Sequence, residues 1–143
     1  MNADPVNSEA VADKLNSAMI HLLRRAARED QAAGIGPAQL SALSVLVFGG
    51  DTTLGRLAAA EHVRPPTMTR VVGALEEAGL VRKEQSPDDR RSVRISATAA
   101  GRRLMQAARR RRIQALAARL EGLSADELET LAHAAALMED AAR

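Results

Sequence analysis

Residues 53–80 constrain the fold of this chain most, because their pattern predicts two short helices joined by a tight turn. The hydroxyl of Thr52 or Thr53 can cap the first helix. Pro65 and Pro66 suit the first turn of the second helix, where an amide proton has no intrahelical partner. The apolar positions that recur at helical spacing are Leu54, Leu57 and Ala58 in the first helix, and Met68, Val71, Val72 and Leu75 in the second.

The face of the second helix opposite this apolar stripe carries small groups, hydroxyls and one guanidinium. At about 100° per residue, its members are Pro66, Thr67, Thr69, Arg70 and Gly73. Such a face can enter a groove. On the pattern alone, Arg70 can also be read as a solvated helix residue.

The composition excludes several classes of protein. A chain of 143 residues forms one domain, or two small interlocked units, and can bury a real core. Its 46% hydrophobic content argues against disorder, and its single aromatic residue, Phe48, argues against a β-sandwich or a base-stacking RNA platform. The absence of cysteine excludes disulfides, thiolate metal sites and thiol redox sensing.

Neither of the two candidate membrane-directing stretches meets the usual criteria. The first five residues lack a basic region and no apolar core follows them, so no signal peptide is evident. Residues 31–50 carry no charge, but glycine and proline interrupt them far short of the roughly 20 apolar residues that a membrane span needs. We therefore expect a soluble cytoplasmic protein with no membrane partner.

The charge of the chain is distributed unevenly. The net charge is only +2, yet residues 82–112 hold eleven basic and three acidic side chains, while the other acidic residues are concentrated toward the ends. This asymmetry fits a basic face for phosphates, although on charge alone a solvated arginine-rich helix face fits equally well. Residues 109–112 cover all sides of one helix, so we expect some of their guanidinium groups to pair with acidic residues across a dimer or to stay in solvent.

The rest of the chain predicts four further helices and a β-hairpin. Two short stretches after Gly79, of which the second alternates apolar and polar residues, flank a loop of turn-forming residues, which is the pattern of a hairpin or wing. Thr98 is the expected cap of the next helix, and Ser124 with Glu127 forms a capping box before the last one. The remaining predicted elements are helices at 8–33, from residue 37 to Gly49, at 99–121 and after Ser124, and strands at 80–84 and 92–96.

The outer helices carry apolar faces that a small winged domain cannot cover by itself. An intersubunit helical bundle would bury them, whereas in a monomer they would wrap around the winged domain. We expect the dimer, because a helix-turn-helix reader places two recognition helices about 34 Å apart. The predicted organisation is thus a dimerisation helix at 1–36, a winged helix-turn-helix domain at 37–97 and dimerisation helices at 98–143.

Two stretches carry a resemblance to a known family. They are LGRLAAAEHVRPPTMTRVVGALEEAGLV at residues 54–81 and DRRSVRISATAAGRRL at residues 89–104. In this order and spacing the chain resembles the MarR family of bacterial winged helix-turn-helix regulators over nearly its whole length. The resemblance implies a mainly α fold with a β-hairpin wing. It also implies a homodimer that binds a pseudo-palindromic operator, usually as a repressor, and often releases it when a small molecule binds.

The resemblance assigns roles to residues of the second helix of the motif. Pro66, Thr67, Thr69 and Arg70 match the groove-facing part of the family's recognition helix. Arg70 is the best candidate for a bidentate contact to guanine O6 and N7, and the threonine hydroxyls would contact phosphates or base edges. Arg64 departs from the family, which often has serine or another capping residue there, so the helix loses a side-chain cap and gains a possible phosphate contact.

The resemblance also assigns roles in the loop of the wing. Asp89 and Arg91 match the family's D-x-R pattern, in which the arginine enters the minor groove and the aspartate holds the loop. Arg90 would be a neighbouring phosphate or groove ligand. A narrow minor groove concentrates negative potential, so an arginine there recognises the width of the groove rather than the base sequence. The other interpretation is that both arginines only close the turn by pairing with Asp88 and Asp89.

Other functions find less support in the sequence. No paired acid and base, glycine-rich phosphate loop or triad is evident, and His21, His62 and His133 are far apart, so we expect no enzyme activity, no cofactor and no metal site. The remaining alternative is a helical dimer that binds protein without sequence-specific DNA binding. A small-molecule effector of unknown identity would lie between the first, second and fifth helices, with Phe48 as the only aromatic residue able to line its site.

Overall fold

The fold is mainly α-helical with one small antiparallel sheet, which confirms the expected class. A computed structural model describes residues 7–85 and 93–142. The elements are α1 (Ser8–Asp30), a 3-10 turn (Gln31–Ala33), α2 (Pro37–Gly49), β1 (Thr52–Thr53), α3 (Leu54–Ala60), α4 (Pro65–Glu77), β2 (Val81–Gln85), β3 (Val93–Ala97), α5 (Ala99–Leu120) and α6 (Ala125–Ala141).

Side-chain caps begin four of the six helices. Thr53, Thr98 and Ser124 each accept a hydrogen bond from the backbone N–H three residues ahead, as their positions in the sequence predict. Asn7 caps α1 in the same way. The predicted first helix keeps α geometry only to Asp30, because its last turn tightens to 3-10 form before a left-handed glycine.

The same C-terminal motif ends α3 and α4, the two helices of the helix-turn-helix. At the end of α4, Gly79 has a φ of +70°, and the N–H of Leu80 donates to the carbonyl of Leu75 at 2.9 Å. At the end of α3, His62 takes the left-handed position with a φ of +53°, and the N–H of Val63 donates to the Ala58 carbonyl at 3.0 Å. Both ends are thus Schellman motifs, which satisfy the last helical carbonyls.

Three strands form the sheet, in the order β1-β3-β2. The hairpin of β2 and β3 is confirmed, although both strands begin and end one residue later than the sequence pattern predicts. The pairing of β1 with Ile95 and Arg94 of β3 was not predicted. Two residues are too few to show an alternating pattern, so β1 left no periodic signal in the sequence.

The hydrophobic core lies among α2, α3, α4, the sheet and the first half of α5. The predicted stripe of α4 points into it, and the half-buried Val47 of α2 packs against it. Gly101 of α5 lies against the backbone carbonyl of Leu80, where a Cβ atom would collide. The largest fully buried side chains are Leu43, Leu46, Leu57, Met68, Val72, Leu75, Ile95 and Met105.

The first and last helices stand apart from this core. Neither α1 nor α6 has a buried residue among those described. Helix α1 packs against part of α5, whereas α6 makes no extensive contact with any other element of the described chain. The apolar side chains that these two helices and the second half of α5 leave exposed include Leu22, Leu23, Ile113, Leu116, Leu128, Leu131 and Leu137.

Within residues 7–85 and 93–142, no single helix has both the length and the apolar composition to cross a membrane.

Candidate nucleic-acid interface

Helix α4 presents the predicted face to solvent. Pro66, Thr67, Thr69 and Arg70 are all exposed, while the intervening Met68 is buried. Arg70 forms no ion pair with another described residue, so its guanidinium is available to a ligand. The orientation of these side chains agrees with the sequence pattern, and their contact with DNA stays a prediction.

The N-terminus of α4 has fewer free backbone donors than most helices. Pro65 and Pro66 lack an N–H, and the N–H groups of Thr67 and Met68 both donate to the Arg64 carbonyl, at 3.0 and 3.2 Å. Arg64 is the N-cap residue and its side chain makes no capping bond, as the sequence predicts. An anion at this end would therefore depend on side chains more than at a helix N-terminus with a full set of free amides.

Two ion pairs join the base of the hairpin to its neighbours, and a third lies within strand β2. Lys83 Nζ lies 2.7 Å from Glu76 Oε2 at the end of α4. Arg94 Nε lies 3.4 Å from Asp51 Oδ2. Arg82 Nε lies 3.2 Å from Glu84 Oε1, and it also donates to Ser96 Oγ at 3.0 Å. Such partly exposed pairs contribute little to stability, but the pair between Lys83 and Glu76 joins β2 to the end of α4.

The wing residues Asp89, Arg90 and Arg91 lie outside the described residues, so their predicted roles stay predictions. One further exposed basic residue, Arg56, was not singled out from the sequence. Arg56 is exposed on α3 and pairs with no described acidic residue. Its position, three residues after the Thr53 cap and beside the buried Leu57, was the available signal. The first helix of a helix-turn-helix crosses the DNA backbone, where a guanidinium is useful.

The arginine run of α5 is divided among different environments. Arg109 and Arg110 are exposed. Arg112 Nη1 donates to Asp30 Oδ2 at 3.2 Å, which ties α5 to the end of α1. The Nε of Arg111 is buried and has no hydrogen-bond partner among the described residues. As expected, the four guanidinium groups do not share one face.

A cavity of about 280 Å³ lies between α1, α2 and α5, where the resemblance places an effector. Asp30 and Arg112 contribute charges to its wall, and Ser41 and Ser44 contribute hydroxyls. The Oδ1 atom of Asp30 is buried without a hydrogen-bond partner among the described residues. Phe48 does not line this cavity and is 58% exposed at the end of α2. Its part in an effector site stays a prediction.

Among residues 7–85 and 93–142, no three histidine or acidic side chains come together as a group that could hold a metal ion.

This combination of a helix-turn-helix, a three-stranded sheet and flanking helices defines a winged-helix DNA-binding protein. A sequence model of the MarR family matches residues 35–93. An uncharacterised HTH-type transcriptional regulator of Mycobacterium leprae is 39% identical over 128 residues, which cover 90% of each chain. The chain belongs to the MarR family of transcriptional regulators, a DNA-binding class whose role is not enzymatic.

Solved structures agree with this assignment. A MarR family protein from Bacillus stearothermophilus has a TM-score of 0.81 and 26% identity, with 96% of this chain and 99% of that chain covered. A mutant of S. aureus MepR bound to an oligodeoxyribonucleotide has a TM-score of 0.69 and 18% identity, with 96% of this chain and 100% of that chain covered. The second likeness shows the fold alone.

Proposed function

We propose that this protein is a repressor that acts in the cytoplasm and binds a pseudo-palindromic operator as a homodimer. The observation that carries the proposal is the exposed face of α4, in which Arg70 and its polar neighbours project from a helix anchored by buried residues. The MepR structure, which holds an oligodeoxyribonucleotide on a similar fold, supports it. In this proposal residues 37–97 bind DNA, and residues 1–36 and 98–143 join two copies.

A groove between α1 and α5 supports the dimer. Its volume is about 380 Å³, its floor is apolar, and four arginines and one glutamate line it. Helix α6 has the complementary character, since it exposes leucines and carries five acidic residues with no lysine or arginine. We propose that α6 of each copy packs into the groove of the other, which buries both apolar surfaces in a two-fold arrangement.

The two-fold symmetry of the proposed dimer determines the symmetry and half-site spacing of the operator. Two copies of α4 related by a two-fold axis meet successive major grooves when they lie about 34 Å apart. A pseudo-palindromic site follows from that symmetry. In this proposal a small molecule in the cavity between α1, α2 and α5 would change the separation of the two α4 helices and release the operator, because that cavity adjoins both the dimer helices and the core of the winged domain.

Binding to the protein's own upstream intergenic DNA, compared with random duplex at matched salt, tests the proposal. The wild type should prefer the intergenic fragment. Arg70→Ala should cost roughly 1–3 kcal/mol and relax the preference at one base pair, because a bidentate guanine contact is lost. Arg91→Ala should weaken binding more evenly across sequences, because a minor-groove arginine reads shape.

The exposed Arg24 of α1 supplies the control, since Arg24→Ala removes the same charge from a helix outside the winged domain. Its operator affinity should stay close to that of the wild type. Wild-type affinity in both Arg70→Ala and Arg91→Ala would contradict the site. Equal affinity of the wild type for intergenic and random DNA would favour the alternative, a helical dimer that binds protein.

A further inference from the structure

The hydroxyl proton of Thr69 already takes part in a hydrogen bond within α4. Its Oγ1 donates to the Pro65 carbonyl oxygen at 2.9 Å, one turn back along α4, while the residue stays exposed. A hydroxyl has one proton and two lone pairs. In this arrangement Thr69 can therefore accept a hydrogen bond from a ligand but cannot donate one.

Thr67 provides the contrast on the same turn of α4. Its hydroxyl makes no side-chain hydrogen bond with another described residue, so it is free to donate. Phosphate oxygens only accept hydrogen bonds. From the sequence, both threonines have the same predicted role, but their hydroxyl groups differ. Thr67 can donate a hydrogen bond to a phosphate oxygen, whereas Thr69, hydrogen-bonded to Pro65, cannot.

We infer that Thr69 reads a base edge as an acceptor, and that its partner is the exocyclic amino group of adenine or cytosine. In the major groove the amino groups N6 of adenine and N4 of cytosine are the only donors, whereas N7, O6 and O4 all accept. The hydrogen bond to Pro65 also fixes the χ1 rotamer of Thr69, because this bond requires one of the rotamers open to threonine in a helix. The inference rests on the proposed function of α4 as a recognition helix.

The next residue has the opposite requirement. The guanidinium of Arg70 has donors and no acceptor, so it selects the acceptor atoms of guanine. Thr69 and Arg70 are neighbours on the exposed face of α4. Together, Thr69 would accept a hydrogen bond from a base amino group and Arg70 would donate to the acceptor atoms of a guanine. The expected half-site therefore places a guanine in the same base pair as, or beside, the amino-bearing base that Thr69 contacts.

Single-atom changes in the operator test this inference. Each adenine of one half-site is replaced in turn by purine, and each cytosine by 2-pyrimidinone, so that one amino group is removed at a time. For the wild type we expect a loss of roughly threefold to tenfold in affinity at the contacted base, as for one hydrogen bond. Thr69→Val, which keeps the branched shape but has no hydroxyl, should bind the unmodified operator more weakly by a similar factor and lose its sensitivity at that base.

Two further variants separate this role from a general effect on α4. Thr69→Ser keeps the hydroxyl and should keep the sensitivity to the missing amino group. Thr67→Val should weaken binding evenly and leave the pattern of sensitivity unchanged. A Thr69→Val variant with the full wild-type pattern overturns the inference. A wild type that does not prefer the intergenic fragment to random duplex instead overturns the proposed function itself.

Discussion

Gly101 is the residue that sets how closely α5 approaches the winged domain. A Cβ atom there would collide with the backbone carbonyl of Leu80 and press on the side chain of Leu43. Leu80 cannot move freely, since its carbonyl also accepts the N–H of Thr98 at 3.0 Å. We predict that Gly101→Ala lowers the free energy of unfolding by about 1–3 kcal/mol, as overpacking does, despite the better helix propensity of alanine.

Urea denaturation at a fixed protein concentration measures this effect, with Gly73→Ala as the matched control. Gly73 is also helical, but nothing lies within 4 Å of the position of its Cβ atom. The control should raise the free energy of unfolding by roughly 0.5–1 kcal/mol through helix propensity alone. If both variants were stabilised equally, the close approach of α5 to Leu80 would play no part in stability.

At the residue scale, the sequence predicted which side chains of α4 face outward, but not which hydrogen bonds they form or which backbone conformation the turn adopts. The helical period placed Thr67, Thr69 and Arg70 on one face, and all three are exposed. The sequence predicted the turn between α3 and α4 but not the left-handed conformation of His62, because glycine and asparagine are the residues that usually mark that conformation. The bond from Thr69 to Pro65 depends on a rotamer choice that the spacing of residues does not determine.

The capping box of α6 makes a prediction at the scale of an element. The N–H and hydroxyl of Ser124 donate to Glu127 Oε2 at 2.8 and 3.0 Å. The bond from the backbone, and then that from the hydroxyl, lowers the pKa of Glu127 below its ordinary value. Because the folded pKa lies below the unfolded one, the stabilisation is complete above the unfolded pKa and is lost as the pH falls through the folded pKa.

Ser124→Ala removes the hydroxyl from this box. We predict a loss of about 1 kcal/mol of stability for the capped helix and a pKa for Glu127 closer to its ordinary value, followed by NMR of the side-chain carboxyl group. Glu127→Gln is the control, because glutamine also completes a capping box but does not titrate. Its stability should lack the component that the wild type loses in acid. An unchanged Glu127 pKa in Ser124→Ala would contradict the prediction.

At the scale of elements, long periodic segments were predicted well and short non-local ones were not. Local signals marked the caps at Thr98 and Ser124 and a cap at Thr52 or Thr53. The structure confirms the first two and shows that Thr53 is the third. Strand β1 depends on its partner β3, about forty residues further along the chain, so local sequence does not reveal it. The ion pair between Asp30 and Arg112 joins α1 to α5 and is likewise a product of tertiary packing.

At the scale of the whole molecule, the prediction concerns the association of two copies through α6. Leu131 of α6 is 45% exposed within one chain, and the proposed dimer buries it in the arginine-lined groove of the second. Leu131→Lys would place an unpaired ammonium in an apolar groove that is already cationic, which costs far more than the loss of the leucine contact alone. We predict a monomer near 15.2 kDa by light scattering at micromolar concentration, whereas the wild type gives about twice that mass.

The control is His133→Lys, which adds the same charge about 200° around α6 from Leu131 and should remain dimeric. The monomeric variant should also lose operator affinity steeply, although α4 is unchanged, because linking two half-site contacts gives an effective concentration that separate copies lack. A wild type that is monomeric under the same conditions would contradict the bundle. A dimeric Leu131→Lys with wild-type operator affinity would instead show that the copies associate through another surface, which leaves the contacts of α4 with DNA unaffected.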